Sequence, residues 1–118
     1  MAKIKANEAL VKALQAWDID HLYGIPRDSI DAVVDSLRTV RDQFKFYHVR
    51  HEEVASLAAG SYTKITGKIG VALSIGGPGL VHLLNGMYDA KMDSVPQLII
   101  SGQTNDSLLG TGAFQETN

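Results

Sequence analysis

A histidine and two adjacent glutamates, His51, Glu52 and Glu53, stand near the start of a segment of mostly small and apolar residues at positions 49–64. Carboxylates in the first turn of a helix interact favourably with the helix macrodipole, by about 0.3 to 1 kcal/mol each, so both glutamates have a purely structural explanation. The functional interpretation is that a strand ends and a helix begins here, at the sheet edge where open α/β folds bind ligands. A glutamate walled there by apolar side chains would be desolvated, and its pKa would rise towards a value useful for proton exchange. Spacing alone favours the structural explanation and leaves both open.

A glycine-rich turn, GGPG at residues 76–79, joins an apolar strand to a helix. The backbone N–H groups at such a helix start could hold an anion. The turn matches neither GxGxxG nor GxxxxGK(S/T), so the motif does not identify a phosphate loop. A tight turn that needs the freedom of glycine, followed by proline at the first helical position, explains it equally well.

The other residues that could do chemistry show no recognised spacing. The sequence contains four histidines, at His21, His48, His51 and His82. They form no HExxH or other metal-ligand pattern, so the sequence predicts no metal site. Solvated or capping roles are expected for three aspartates, Asp89, Asp93 and Asp106. The absence of cysteine excludes disulfides, thiolate catalysis and cysteine-ligated metals.

Helix and strand patterns alternate along the chain, and this alternation predicts how the residues above are positioned. Apolar stripes of helical period are predicted after Asn7 as N-cap, after Ser29, over residues 51–65 and after Gly79. Strands are predicted at residues 21–26, 44–49, 69–75 and 96–102, the third apolar on both faces. The connections are too long for hairpins. We therefore predict an α/β fold, with a parallel sheet and helices on both faces.

Length, charge and composition limit what such a domain can do. The 118 residues carry 11 basic and 13 acidic side chains, a formal net charge of −2, without long runs of either sign. No basic face for nucleic acid is visible, so no nucleic-acid partner is expected. The start, MAKIKANEAL, lacks the apolar region of a secretory signal, and no apolar run is long enough to span a bilayer. We expect a soluble, cytoplasmic protein.

Four segments together resemble one enzyme family. HLYGIP, VRHEEVASLAAGSYTKITGKIGVALSIGGPG, HLLNGMYDAKMDSVPQLIISGQ and FQETN resemble, in unbroken order, the N-terminal pyrimidine-binding (PYR) domain of the thiamine-diphosphate enzymes. Within that family they are most similar to the pyruvate oxidases of the bacterial, acetate-producing, pyruvate:quinone type. The resemblance implies the thiamine-diphosphate-binding fold over residues 1–118, truncated at the C-terminus and so incomplete as a domain.

The resemblance implies roles for particular residues. Glu52 corresponds to the catalytic glutamate that hydrogen-bonds N1′ of the cofactor aminopyrimidine and activates it. Glu53 then keeps a structural role at the helix start. Phe114 and Gln115, in FQE, are expected to reach the reacting carbon. The remaining residues expected to bind the cofactor are Ile25, Pro26, Gly77, Pro78, Gly79, His82 and Asn85.

The resemblance also implies cofactors and partners held elsewhere. Thiamine diphosphate would be bound with Mg²⁺ through a C-terminal domain and FAD through a central domain, and the sequence contains neither. We therefore expect the isolated chain to be inactive. Pyruvate is the expected substrate, acetate and carbon dioxide the products, and membrane quinone the electron acceptor, with the enzyme peripheral at the inner membrane face. A second subunit of a homo-oligomer, a dimer or tetramer, is expected to complete the active site.

Three alternatives stay open. Acetolactate synthase and the phosphate-dependent, acetyl-phosphate-forming pyruvate oxidase share the glutamate and differ in product. A stand-alone module that uses this surface only to dimerise would have no activity. One departure from the family pattern also affects the expected activity. Arg27, in IPRDS, stands where relatives have glycine, and we expect its side chain to crowd the cofactor and impair turnover.

Overall fold

The computed structural model describes residues 3–117, in which four parallel strands alternate with four α-helices. The helices are α1 (Ala6–Ala16), α2 (Asp31–Thr39), α3 (Glu52–Thr66) and α4 (Pro78–Met92). The strands are β1 (His21–Gly24), β2 (Lys45–His48), β3 (Gly70–Ser74) and β4 (Gln97–Ser101). They lie in the order β2-β1-β3-β4, every neighbouring pair parallel. The carboxyl ends of all four strands therefore share one edge of the sheet.

One face of the sheet is covered by α1 and α2, which pack on an aliphatic core. Val11 and Leu14 of α1 are 3% and 1% exposed, and they belong to one cluster with Leu37 of α2 and Leu73 of β3. The apolar stripe predicted for α1 is confirmed at its centre. Trp17, seven residues after Leu10 and so at the spacing of the same stripe, follows the helix and is instead 67% exposed.

The predicted N-cap of α1 is wrong. The helix begins at Ala6, with Lys5 at the cap position and no side-chain cap hydrogen bond. Asn7 instead donates from Nδ2 to the carbonyl oxygen of Ala32 at 2.9 Å and to Oγ of Ser36 at 2.7 Å. The Asn7 amide therefore ties α1 to α2, a long-range contact that the local sequence pattern does not reveal.

The other face is covered by α3 and α4, which approach each other and the sheet through small residues. Strand β3 is buried at every position, and Ala59 and Leu83 of the two helices are fully buried. A Cβ on Gly86 would come within 2.2 Å of Oγ of Ser56, and a Cβ on Gly70 within 2.1 Å of the carbonyl oxygen of Ala59. Neither glycine has room for a side chain, so these backbones pack almost directly on each other.

The predicted fold class is confirmed: an α/β fold with a parallel sheet and helices on both faces. Helix α3 ends at Thr66, one residue beyond the predicted 65, and is followed at the C-cap by Gly67, whose φ of 72° lies in the left-handed region that favours glycine. Helix α4 has Pro78 at its first position, where the missing N–H is not needed. Within residues 3–117 no helix has the length and apolar character required to cross a membrane.

Candidate active site

Glu52 lies at the carboxyl edge of the sheet, where α3 begins. It is the first helical residue and is 9% exposed, whereas the side chain of Glu53 is 39% exposed. His51 caps the helix, because its Nδ1 accepts a hydrogen bond from the backbone N–H of Glu53 at 3.3 Å. The two adjacent carboxylates therefore have different surroundings, one largely desolvated and the other open to water.

A histidine from the next helix contacts Glu52. Oε2 of Glu52 lies 3.0 Å from Nδ1 of His82 on α4. The rings of His51 and His82 stack with their centroids 4.5 Å apart and 30° between their planes. Atoms of His51, Glu52 and His82 that could bind a metal all lie within 4.8 Å of one another. The structure thus gathers two helix starts into one polar cluster.

Opposing effects act on the pKa of Glu52. Burial raises it, while the hydrogen bond with His82, a backbone hydrogen bond and the attraction of the two histidines lower it, and the net shift is downward. The predicted rise of the Glu52 pKa is therefore wrong for this arrangement. The sequence indicates the desolvation but not the histidine, which lies 30 positions further along the chain.

Glu53 has a partner of its own on α4. Its Oε1 accepts a hydrogen bond from Nδ2 of Asn85 at 2.5 Å. His82 and Asn85 are three residues apart and so share one face of the helix, which lets each contact one glutamate. The purely local role predicted for Glu53 therefore omits a hydrogen bond between helices. Asn85, expected to bind the cofactor, is engaged with Glu53 in this structure.

The GGPG turn lies against the C-terminal segment. Gly77 has a φ of 64°, and a Cβ there would come within 2.9 Å of Cα of Gln115. The backbone N–H of Gly77 donates to Oγ1 of Thr117, which occupies a donor that an anion would need. Gln103 holds the same segment, since its Oε1 accepts from the backbone N–H of Thr117 at 3.1 Å. Gln115 and the turn, which the resemblance assigns to one active site, are therefore neighbours.

Other expected site residues lie in more open positions. Ile25 and Arg27 line an open cavity of about 630 Å³ with His48, Val49 and Arg50. Glu52 is not among the lining residues of this cavity. Pro26 is exposed, and Phe114 is 87% exposed. The roles expected for Ile25, Pro26 and Phe114 stay predictions.

Two aspartates expected to be solvated or capping take part in ion pairs between helices. Oδ2 of Asp89 and Oδ2 of Asp93 lie 2.9 Å and 2.5 Å from Nζ of Lys64 on α3. Polar contacts therefore join α3 and α4 at both ends, with the two glutamates at one end and Lys64 at the other. Asp106 begins a single turn of 3₁₀ helix that is capped by Asn105.

Residue spacing alone does not predict the polar cluster, because its members come from two helices and a search within one segment finds no pattern, whereas the resemblance assigns Glu52 and His82 to one cofactor site. A weaker signal was present. Two acidic residues begin one helix, while a histidine and an amide three residues apart stand near the start of another. The strands before these helices, β2 and β3, flank β1, so both helix starts lie at the same sheet edge.

Comparison with known proteins gives the same family as the resemblance seen in the sequence. Residues 4–118 match the family described as thiamine pyrophosphate enzyme, N-terminal TPP binding domain. YdaP of Bacillus subtilis, described as thiamine pyrophosphate-containing, is 54% identical over 116 residues, which cover 98% of this chain and 20% of that protein. Pyruvate oxidase of Lactiplantibacillus plantarum is 48% identical over 115 residues, covering 98% and 19%.

A third relative has a different activity. Acetolactate synthase of Mycobacterium leprae is 39% identical over 116 residues, which cover 98% of this chain and 18% of that protein. The chain therefore spans about a fifth of the length of each of these three relatives.

Proposed function

The chain belongs to the thiamine pyrophosphate enzymes, and we propose that it is the part of a pyruvate oxidase that binds the aminopyrimidine of thiamine diphosphate. The observation that carries this proposal is the desolvated Glu52 carboxylate at the carboxyl edge of the sheet, hydrogen-bonded to the helix that follows the GGPG turn. The choice of activity is supported by 48% identity to a pyruvate oxidase, against 39% to an acetolactate synthase.

The chemistry of the residues present supports binding of the aminopyrimidine. The side chain of Glu52 is 11% exposed, so its carboxylate is mostly desolvated but not fully enclosed. The adjoining GGPG segment has no room for a side chain at Gly79, because a Cβ there would come within 2.7 Å of Cγ1 of Ile75. The residues that would hold the ring are Glu52, Gly77, Pro78, Gly79 and His82.

When bound, thiamine diphosphate supplies the electron-accepting thiazolium ring that makes decarboxylation of a 2-oxo acid possible. The part of this chain is to keep Glu52 dry and fixed in direction, and to hold or release a proton at Oε2. Burial raises the pKa of Glu52, but the contact with His82 contributes to the net lowering. Loss of that contact would raise the pKa towards the range useful for proton exchange. His82 therefore favours the ionised form of the Glu52 carboxyl.

The proposal extends to groups that would be bound outside this chain, which spans about a fifth of the length of YdaP and of the pyruvate oxidase. These are Mg²⁺, FAD, a quinone as electron acceptor and a second subunit, in a cytoplasmic enzyme with peripheral membrane contact. The second subunit is supported by an apolar outer face on α4, where Leu84, Tyr88 and Met92 are 51%, 64% and 65% exposed. Apolar patches of this kind mark interaction surfaces.

Replacement of Glu52 by glutamine in the intact protein tests the proposal. Deuterium exchange at C2 of thiamine diphosphate should slow by about 10²- to 10⁴-fold, because an amide cannot exchange a proton as a carboxylate does. Glu53→Gln is the matched control, one residue away and more exposed, and should slow exchange far less. Equal effects of the two substitutions would contradict the assignment of Glu52.

Product analysis separates the candidate activities. Acetate and carbon dioxide formed from pyruvate without phosphate would support the proposed oxidase. Acetyl phosphate would indicate the phosphate-dependent oxidase, and acetolactate would indicate the synthase. A protein that dimerises but binds no thiamine diphosphate would instead be the dimerisation module.

A further inference from the structure

The polar cluster at the carboxyl edge has a composition that suits a transition metal. It contains two imidazoles and one carboxylate, from His51, His82 and Glu52, with their potential ligand atoms all within 4.8 Å of one another. Imidazole nitrogen and carboxylate oxygen are the ligands of many catalytic zinc sites, which use three protein groups and leave a fourth position open. The cluster therefore has the ligand types and the number of ligands that such a site requires.

We propose that His51, Glu52 and His82 bind a divalent transition metal ion such as Zn²⁺ when thiamine diphosphate is absent, and that this ion blocks the cofactor from Glu52. Only the blocking of the cofactor rests on the proposed function. Metal binding follows from the three side chains, whereas competition follows from the role of Glu52 towards the aminopyrimidine.

The distances need a small adjustment to hold an ion. Tetrahedral zinc keeps nitrogen and oxygen ligands about 2.0 to 2.2 Å from the ion, and so about 3.3 Å from each other. Glu52 Oε2 and His82 Nδ1 already meet this separation at 3.0 Å. The side chains of His51 and His82 are 49% and 44% exposed, so their rings can move, while Glu52 is held by burial. Closure of the cluster therefore involves mobile histidines around a fixed carboxylate.

Binding of a metal through Nε2 of His51 places the ring proton on Nδ1. Nδ1 must then give up the hydrogen bond that it accepts from the backbone N–H of Glu53 and turn to the Glu53 carboxylate instead. Oε2 of Glu53 lies 3.8 Å from Nδ1 of His51. Metal-bound histidines commonly direct their second ring nitrogen to a carboxylate, which fixes the ring and the nitrogen that faces the ion. Two nitrogen ligands favour zinc, cobalt, nickel or copper over Mg²⁺, which prefers oxygen ligands throughout. The site is therefore distinct in chemistry from the magnesium that accompanies the diphosphate.

Binding is tested on the intact protein freed of cofactor, with Co²⁺ as the spectroscopic probe and Zn²⁺ as its competitor. Saturable visible absorption of bound Co²⁺, displaced by one equivalent of Zn²⁺, is the expected result. Substitutions of the ligands, H51Q, E52Q and H82Q, should each weaken Zn²⁺ binding by more than about tenfold. H48Q is the matched control, since His48 lies three residues before the cluster and outside it, and it should leave binding unchanged.

Two results would overturn the metal site. One is the absence of saturable Co²⁺ absorption at micromolar protein and metal concentrations. The other is equal weakening by H48Q and H82Q, which would show that the ion binds elsewhere. Circular dichroism of each variant separates loss of a ligand from loss of the fold.

Competition is measured separately, by titration of Zn²⁺ in the presence and absence of thiamine diphosphate with Mg²⁺. The cofactor should raise the apparent Kd for Zn²⁺ at least tenfold in the unsubstituted protein. Intact Zn²⁺ binding without competition would overturn the blocking role and count against Glu52 as the contact for the aminopyrimidine. Cofactor binding without any Zn²⁺ binding would leave the proposed function in place and overturn the metal site.

Discussion

The two helical layers that cover the sheet are packed in different ways. The layer of α1 and α2 is filled by large aliphatic side chains, Leu14 and Leu73 among them. The buried apolar cluster between the sheet and α3 and α4 consists of Ala55, Ala59, Ala72 and Leu83, and at Gly86 of α4 and Gly70 of β3 a Cβ would meet neighbouring backbone. Close-packed backbones have less freedom to adjust than a core of interdigitating side chains. The catalytic candidates stand at the end of the second layer, so its tight packing sets the distance between Glu52 and His82.

The largest loss of stability should come from the first layer, and it should leave the site intact. Leu14 is 1% exposed, and a Leu→Ala change in a well-packed core lowers the free energy of unfolding by about 2 to 5 kcal/mol. Urea titration of Leu14→Ala followed by circular dichroism measures this loss. The NMR signals of the His82 ring should not move. A marked shift of these signals would show that the two layers do not act separately.

A smaller loss of stability with a larger effect on the site is expected from the second layer. In Gly86→Ala the new Cβ would come within 2.6 Å of the backbone nitrogen of Leu57, which cannot rotate away. Overpacking of this kind costs about 1 to 3 kcal/mol. The two helices should separate, and the His82 signals and the affinity of the intact protein for thiamine diphosphate should both change.

Gly60→Ala is the matched control for Gly86→Ala. Gly60 lies in the middle of α3, where a Cβ would meet its nearest neighbour, Nε2 of Gln97, at 3.4 Å. A methyl group fits with little adjustment, so the substitution should be neutral or stabilise by about 0.4 to 1 kcal/mol. If both glycine substitutions moved the His82 signals alike, close packing at Gly86 would not be what positions the site.

The same contrast explains how much of the fold could be predicted from the sequence. The strand at residues 69–75 is apolar on both faces, and β3 is buried at every position, so local pattern and burial agree. The end of α3 just before Gly67 follows from glycine alone. The N-cap prediction for Asn7 is wrong because the Asn7 amide donates hydrogen bonds to Ala32 and Ser36 of α2. No local sequence rule favours this contact between helices over an N-cap.

The site could be predicted only in part, for a related reason. A strand followed by a helix places Glu52 at the correct sheet edge, and the resemblance assigns its role. The identity of its neighbour depends on how far α3 and α4 slide along each other, which is fixed by contacts such as Gly86 against Ser56. The sequence therefore indicates the burial of Glu52 but not the direction of its pKa shift.

A pH titration of the metal-free protein tests whether the contact with His82 lowers the pKa of Glu52. Its folded-state pKa lies below the ordinary 4.5, so the ionised carboxylate stabilises the fold above that pH, and the stabilisation is lost as the pH falls through the lowered value. In His82→Phe burial still raises the pKa but the main opposing contact is gone, so the titration should move to higher pH. NMR of the Glu52 carboxyl carbon measures the shift, and His48→Phe is the control. An unchanged titration in His82→Phe would remove His82 as the partner of Glu52.

The smallest effect is expected at Arg27, which belongs to neither layer. The side chain is exposed and lines an open cavity with His48 and Arg50, and Glu52 is not part of that cavity. The backbone at Arg27 has a φ of −155°, an extended conformation that does not require glycine. This position speaks against the expectation that Arg27 crowds the cofactor.

In Arg27→Gly, kcat and KM for pyruvate of the intact protein should therefore change by no more than about twofold, as for a surface substitution worth about 0.5 kcal/mol. Steady-state kinetics of the two forms measure this, with unfolding followed in parallel. A tenfold rise in kcat without a change in stability would restore the crowding hypothesis. Because the exposed position of Arg27 does not place its guanidinium beside Glu52, such a rise would require the loop after β1 to move towards the site when the cofactor binds.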